Sequence, residues 1–145
     1  MTQTVISPEV VQQTIEFHGH SCPGLAFGIR AAELVMTRFD RASDEEIVAV
    51  VETDMCAVDA IQFLTGCTFG KGNLIHLDYG KNAFTFYRRS DGQGIRIISR
   101  PNIFPNQDKE LVALQTKQVK EGLIPEEQKR LKEVIAVRTK RIMEA

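Results

Sequence analysis

Apolar positions follow two different rhythms along this chain. From Ser7 to about Glu16 they recur at helical spacing. Ser7 suits the cap, Pro8 the first helical position, and Val10, Val11 and Ile15 form the stripe. A second helix follows Pro23. Leu25, Phe27, Gly28, Ala31, Ala32, Leu34, Val35 and Met36 make it apolar or small almost all round, which predicts a largely buried helix. The β-branched run from Ile47 to Val51 is too short for a helix and apolar on both faces, and so reads as a central strand. Thr53 can then cap a third helix, Asp54 to Leu64, ended by Gly66. From Asn73 the period changes to two. Leu74–Tyr79, Ala83–Arg89 and Ile95–Arg100 read as strands, with turns at Gly80-Lys81-Asn82 and Ser90–Gly94, which predicts an antiparallel meander. Pro101 to Pro105 breaks the sheet. Two charged amphipathic helices follow, about Gln107–Glu121 and Pro125–Ile142, with Leu111, Leu114, Val119, Leu131, Val134, Ile135 and Ile142 as their buried residues. This order of elements predicts one α+β domain over residues 1–145, with a mixed sheet of about five strands flanked by helices.

Composition narrows the function more than the fold. A chain of 145 residues with 43% hydrophobic and 26% charged residues can build a real core. Its net charge of −1 argues against binding nucleic acid or acidic membranes through bulk charge. No apolar run approaches the about 20 residues that cross a bilayer. Met1 to Val11 lacks a basic and then apolar leader, so the expected compartment is the cytoplasm. The three cysteines form no CxxC, so reduced thiols are expected rather than a disulfide framework.

The chemistry concentrates in Phe17-His18-Gly19-His20-Ser21-Cys22-Pro23-Gly24, which holds two of the three histidines and one of the three cysteines. In extended backbone His18, His20 and Cys22 would fall on one side. All three can share a metal only if the chain curls, and Gly19 permits that. Zinc is well served by such nitrogen and sulfur ligands. With Pro23 at the first helical position, Cys22 becomes an N-cap, where the helix dipole favours a thiolate. Cys56 repeats this logic just past the C-terminal end of the Ile47–Val51 strand, and Asp59 lies three residues on, near the same helix face. Cys67 sits in the glycine-rich stretch Thr65–Asn73, either as a ligand or as loop packing. That stretch has three residues between Gly66 and Gly70-Lys71, then Gly72, so it fails the phosphate-loop register. His76 lies in a strand pattern and reads first as a sheet residue. Arg88, Arg89, Arg96 and Arg100 read as a solvated face or partners for nearby acids.

Three ordered stretches resemble one family. Phe17–Leu25 followed by Gly28-Ile29-Arg30-Ala31, then Glu52–Gln62, then Thr65–Leu74 look like the motifs of the FmdE family, named for a component of formylmethanofuran dehydrogenase. The resemblance implies a thioredoxin-like α+β core with a groove of His and Cys residues able to hold zinc. It also implies an association with molybdenum or tungsten formylmethanofuran dehydrogenases and one-carbon metabolism in anaerobes. Many members carry a further zinc finger with four cysteine-type ligands. No Cys follows Cys67 here, so the chain is expected to be the core domain.

Three readings stand together at this point. In the first, zinc or another divalent transition metal is held in a groove lined by His18, His20, Cys22, Cys56, Asp59 and Cys67. His20, Cys22 and Cys56 lie closest to the metal, and Cys22, His18 and Asp59 are the candidates for acid–base or nucleophilic work. In the second, Cys22 forms a redox pair with Cys56 or Cys67. In the third, the chain is a non-catalytic component that binds a molybdenum or tungsten dehydrogenase or its cofactor. A homodimer through the terminal helices is expected in any of them, without nucleic-acid or membrane partners.

Overall fold

The computed structural model describes residues 6–100 and 105–144. The expected sheet break at residues 101–104 and the first five residues of the N-terminal stretch lie outside the described residues. Two helices open the fold. Helix α1 runs Pro8–His18, and the Ser7 side chain accepts a bond from the Val10 amide. It extends beyond Glu16 because it closes on Gly19 at φ 104°, a left-handed conformation that glycine adopts without strain. Helix α2 runs Pro23–Met36 and buries Leu25, Ala26, Gly28, Ile29, Ala31, Ala32 and Val35.

The fold is α+β, with a mixed sheet of four strands among the described residues: β1 Ile47–Val51, β2 Leu74–His76, β3 Ala83–Arg88 and β4 Gly94–Ile98. The strand order is β2-β1-β3-β4, so Ile47–Val51 is central as expected. The count is four rather than about five. Each of the four stretches read as strands supplies one, and the other described residues form helices, turns or loops.

The meander needs a second correction. β2 does not pair with β3. It lies parallel to β1, in register from Ala49 opposite Leu74 to Val51 opposite His76. Between them runs helix α3, Ala57–Thr65, so β1, α3 and β2 form a crossover unit, the connection that parallel neighbours require. β1 pairs antiparallel with β3, and β3 with β4 across the turn at Ser90–Gln93. The third helix also starts later than Asp54, with Cys56 rather than Thr53 at its N-cap.

Ala49, Val51, Phe84 and Phe86 of the sheet join Leu25, Ile29 and Ile61 of α2 and α3 in one buried core. The two helices meet at backbone distance, because a Cβ added at Gly28 would lie 2.5 Å from the Ala57 carbonyl oxygen. Helix α4, Pro105–Lys120, packs on α5, Pro125–Glu144, and α5 packs on α2. Leu131 and Val134 are buried, whereas Leu111, Leu114, Ile135 and Ile142 are half-buried. Val119, expected in that stripe, is 87% exposed. Among the described residues no helix is long and apolar enough to cross a membrane.

Candidate metal centre

The two helix starts and the α1–α2 connection converge on one spot. His18 is the last residue of α1, Gly19 turns the chain, His20 follows, and Cys22 caps α2 with its Sγ accepting from the Leu25 amide at 3.4 Å. Cys56 approaches from the far side, at the N-cap of α3, where it makes no side-chain capping bond. One ligand atom from each of His18, His20, Cys22 and Cys56 lies within 4.8 Å of the others. Gly24 makes room for this: a Cβ there would sit 3.2 Å from Cys56 Cβ. The HxHxC stretch is therefore not an extended strand. It is a helix end, a left-handed glycine and a helix cap, and that curl brings three alternate residues together.

His18 has the surroundings of a ligand. Its Nδ1 lies 2.7 Å from Asp59 Oδ2, while its Nε2 is buried with no hydrogen-bond partner among the described residues. An orphaned buried ring nitrogen is costly unless something meets it. A carboxylate on the other nitrogen fixes the tautomer and leaves the free nitrogen as an acceptor, the usual support for a metal-bound histidine. The His18 and His20 rings are 4.4 Å apart between centroids. Burial pushes the Cys56 thiol above its ordinary value, and the neighbouring Cys22 sulfur adds to the shift. The helix start alone therefore does not make Cys56 an easy thiolate. Two adjacent thiolates are relieved by a bound cation.

Cys67 stands apart. It is fully buried, its thiol donates to the Ile47 carbonyl at 3.5 Å, and burial pushes its titration upward. It belongs to the core under β1 and is not in the group of four. Asp59 is the orienting partner of His18 rather than a member of that group.

Three roles were not evident in the sequence. Gln62 reaches Asp59 Oδ1 at 3.5 Å and accepts the Phe69 amide at 3.1 Å, tying the glycine-rich loop to the His18–Asp59 pair. Its position one helical turn after Asp59 was the available signal. Gly24 supplies space and His76 lines a cavity, and neither role has a local signature. That cavity, about 460 Å³, opens beside the cluster and is shared by His18, Cys56 and Asp59. Among the arginines, Arg96 pairs with the buried Glu52 at 3.0 Å and Arg88 with Asp91 at 2.6 Å, the bland role expected of them.

The α+β fold and the motifs that build the cluster belong to one class of protein, and comparison shows which. The FmdE family profile, described as "FmdE, Molybdenum formylmethanofuran dehydrogenase operon", matches residues 17–145. The chain belongs to the FmdE family. It is similar to a tungsten formylmethanofuran dehydrogenase FmdE-like protein from Syntrophus aciditrophicus. That crystal structure shares 30% identity at a TM-score of 0.61, over 94% of this chain and 71% of that one. A protein of Archaeoglobus fulgidus described as a probable S-adenosyl-L-methionine-binding protein is 40% identical over 127 residues, 81% of this chain and 34% of that protein. The chain thus spans about a third of the length of that curated relative.

Proposed function

We propose that the chain holds a zinc ion through His18, His20, Cys22 and Cys56, in a core that serves formylmethanofuran dehydrogenase-type one-carbon chemistry. The observation that carries the metal reading is the orphaned Nε2 of His18, on a ring that Asp59 holds through Nδ1 and that offers one donor atom to a group of four within 4.8 Å of one another. The donor set fits. Tetrahedral zinc with bonds of about 2.0–2.3 Å places its ligands about 3.3–3.8 Å apart, so a small contraction of the group suffices. Two thiolates and two imidazoles also favour zinc over harder, oxygen-seeking cations. When bound, the ion would neutralise the paired sulfurs and tie the starts of α2 and α3 to the end of α1 as a closed four-ligand site beside the cavity. The chain's own part is to hold the donors on two rigid helix starts and to fix the His18 tautomer through Asp59. The accessory role rests on the family and on the FmdE-like neighbour of the tungsten enzyme type. S-adenosyl-L-methionine binding is said of the archaeal relative, about a third of whose length this chain matches.

The test is elemental mass spectrometry on protein purified without added metal, beside His18→Ala, Cys22→Ala, Cys56→Ala and Cys67→Ala. Near-stoichiometric zinc in the parent and in Cys67→Ala, lost in the other three, is the expected pattern. Zinc that survives Cys22→Ala and Cys56→Ala would refute the assignment.

A further inference from the structure

The cavity beside the cluster has a chemical character of its own. Its floor is apolar, built from Val51, Val58 and Leu74 at the C-terminal end of β1, the start of α3 and the start of β2. Its rim carries two large apolar side chains left in solvent, Phe69 at 75% and Met55 at 65% exposure. Phe69 is exposed but not loosely held. Its amide donates to Gln62, and the adjacent Thr68 amide donates to Asn73 Oδ1 at 3.0 Å. The fully buried Asn73 in turn binds the Asp44, Ile47 and Gly66 carbonyls. An aromatic ring on a pinned loop is a preformed plate for a flat ligand.

The polar groups of the lining decide the ligand's charge. Asp54 and Asp59 are its two acids, and no Lys or Arg is among the described residues that line it. The charge of a zinc ion at the shared His18 and Cys56 would be balanced by the Cys22 and Cys56 thiolates, so a phosphate or carboxylate would meet the two aspartates with no net positive charge in the lining to offset them. A ring nitrogen, amine or amidine would meet a carboxylate at Asp54, with Thr53, Gln62 and His76 as further hydrogen-bonding groups.

We infer that this cavity is a ligand site for a flat, nitrogen-bearing molecule that is neutral or cationic, stacked on Phe69 and facing Asp54. The inference rests on the metal reading only for what lies next to the ligand, since His18 and Cys56 are shared by cavity and cluster. Phosphorylated and carboxylated compounds are the class it rejects.

Benzamidine and benzoate are the probes, of one shape and opposite charge. Each is titrated into the metal-loaded protein while amide chemical shifts are followed by NMR, with Asp54→Asn and Phe69→Ala in parallel. Both positions are exposed and outside the group of four, so both variants are expected to fold and to keep their metal. Benzamidine should shift amides of residues 54–58 and 68–74 and bind at least tenfold tighter than benzoate. It should weaken about fivefold in each variant, the scale of one exposed ion pair or one lost aromatic contact. Benzoate binding as tightly as benzamidine, benzamidine shifts confined elsewhere, or unchanged affinity in both variants would overturn the inference. Metal content of the same samples separates the two claims. Protein that takes up no metal yet binds benzamidine would sink the metal reading and leave the cavity assignment standing. Metal in place with no benzamidine binding would sink the cavity assignment alone.

Discussion

Replacing Gly28 by Ala tests the contact on which the metal centre depends. The added Cβ would lie 2.5 Å from the Ala57 carbonyl oxygen, 2.7 Å from Ala57 Cα and 2.9 Å from Ala60 Cβ. Overpacking of this kind costs about 1–3 kcal/mol. Two of the three neighbours are backbone atoms that no rotamer change can move, which places the cost at the upper end. Alanine recovers about 1 kcal/mol of helix propensity over glycine. The net loss is then about 2 kcal/mol, or a fall of about 4–8 °C in Tm for a chain of this size. Cys22 and Cys56 sit at the starts of the two helices being pried apart, so metal affinity should fall with stability. Gly70→Ala is the control, because a Cβ there meets nothing within 4 Å. Thermal unfolding followed by circular dichroism, with and without metal, reads both effects. A Gly28→Ala protein as stable as its parent would refute the backbone contact between α2 and α3.

Further outcomes follow from the polar groups. Asp59→Asn should leave one metal per chain but weaken its affinity about 10–100-fold, measured by competition with a chromogenic chelator, because His18 loses its orienting carboxylate. Unchanged affinity would make Asp59 a bystander. The Glu46 carboxyl is held at about 2 against an ordinary 4.5, chiefly by the Asp44 amide, with its own amide and Ser43 adding. A folded value below the unfolded one means that its contribution is fully present above about 4.5 and is lost as pH falls toward 2. Glu46→Gln should therefore flatten that part of the acid-unfolding curve, seen by urea unfolding at stepped pH, and an unaltered curve would contradict the Glu46 hydrogen bonds.

Much of the fold was legible because local chemistry carried it. Ser7-Pro8 and Cys22-Pro23 mark both helix starts, and the short β-branched run at Ile47–Val51 is the central strand it reads as. The partner of β2 was not legible. Leu74–His76 has the same alternation whether it pairs with β1 or β3, and only the crossover through α3 selects β1. Val119 carries an apolar residue at helical spacing on a face that nothing in the described structure covers. At the site, the donors were visible as residue types, but their grouping depends on α1 running on to His18 and on the left-handed Gly19. Cys67 looks in sequence like any other candidate thiol, and only its burial against the Ile47 carbonyl separates it. Gln62 and His76 gain their places from tertiary contacts that spacing does not encode.

The function proposed for this chain turns on a mixed sulfur and nitrogen metal site at the starts of α2 and α3. X-ray absorption at the zinc edge of the purified, anaerobically handled protein tests it most directly. Two sulfurs at about 2.3 Å and two imidazole nitrogens at about 2.0–2.1 Å are expected, with one sulfur lost in Cys56→Ala and none in Cys67→Ala. A shell of oxygen and nitrogen only, or a third sulfur that disappears in Cys67→Ala, would contradict it.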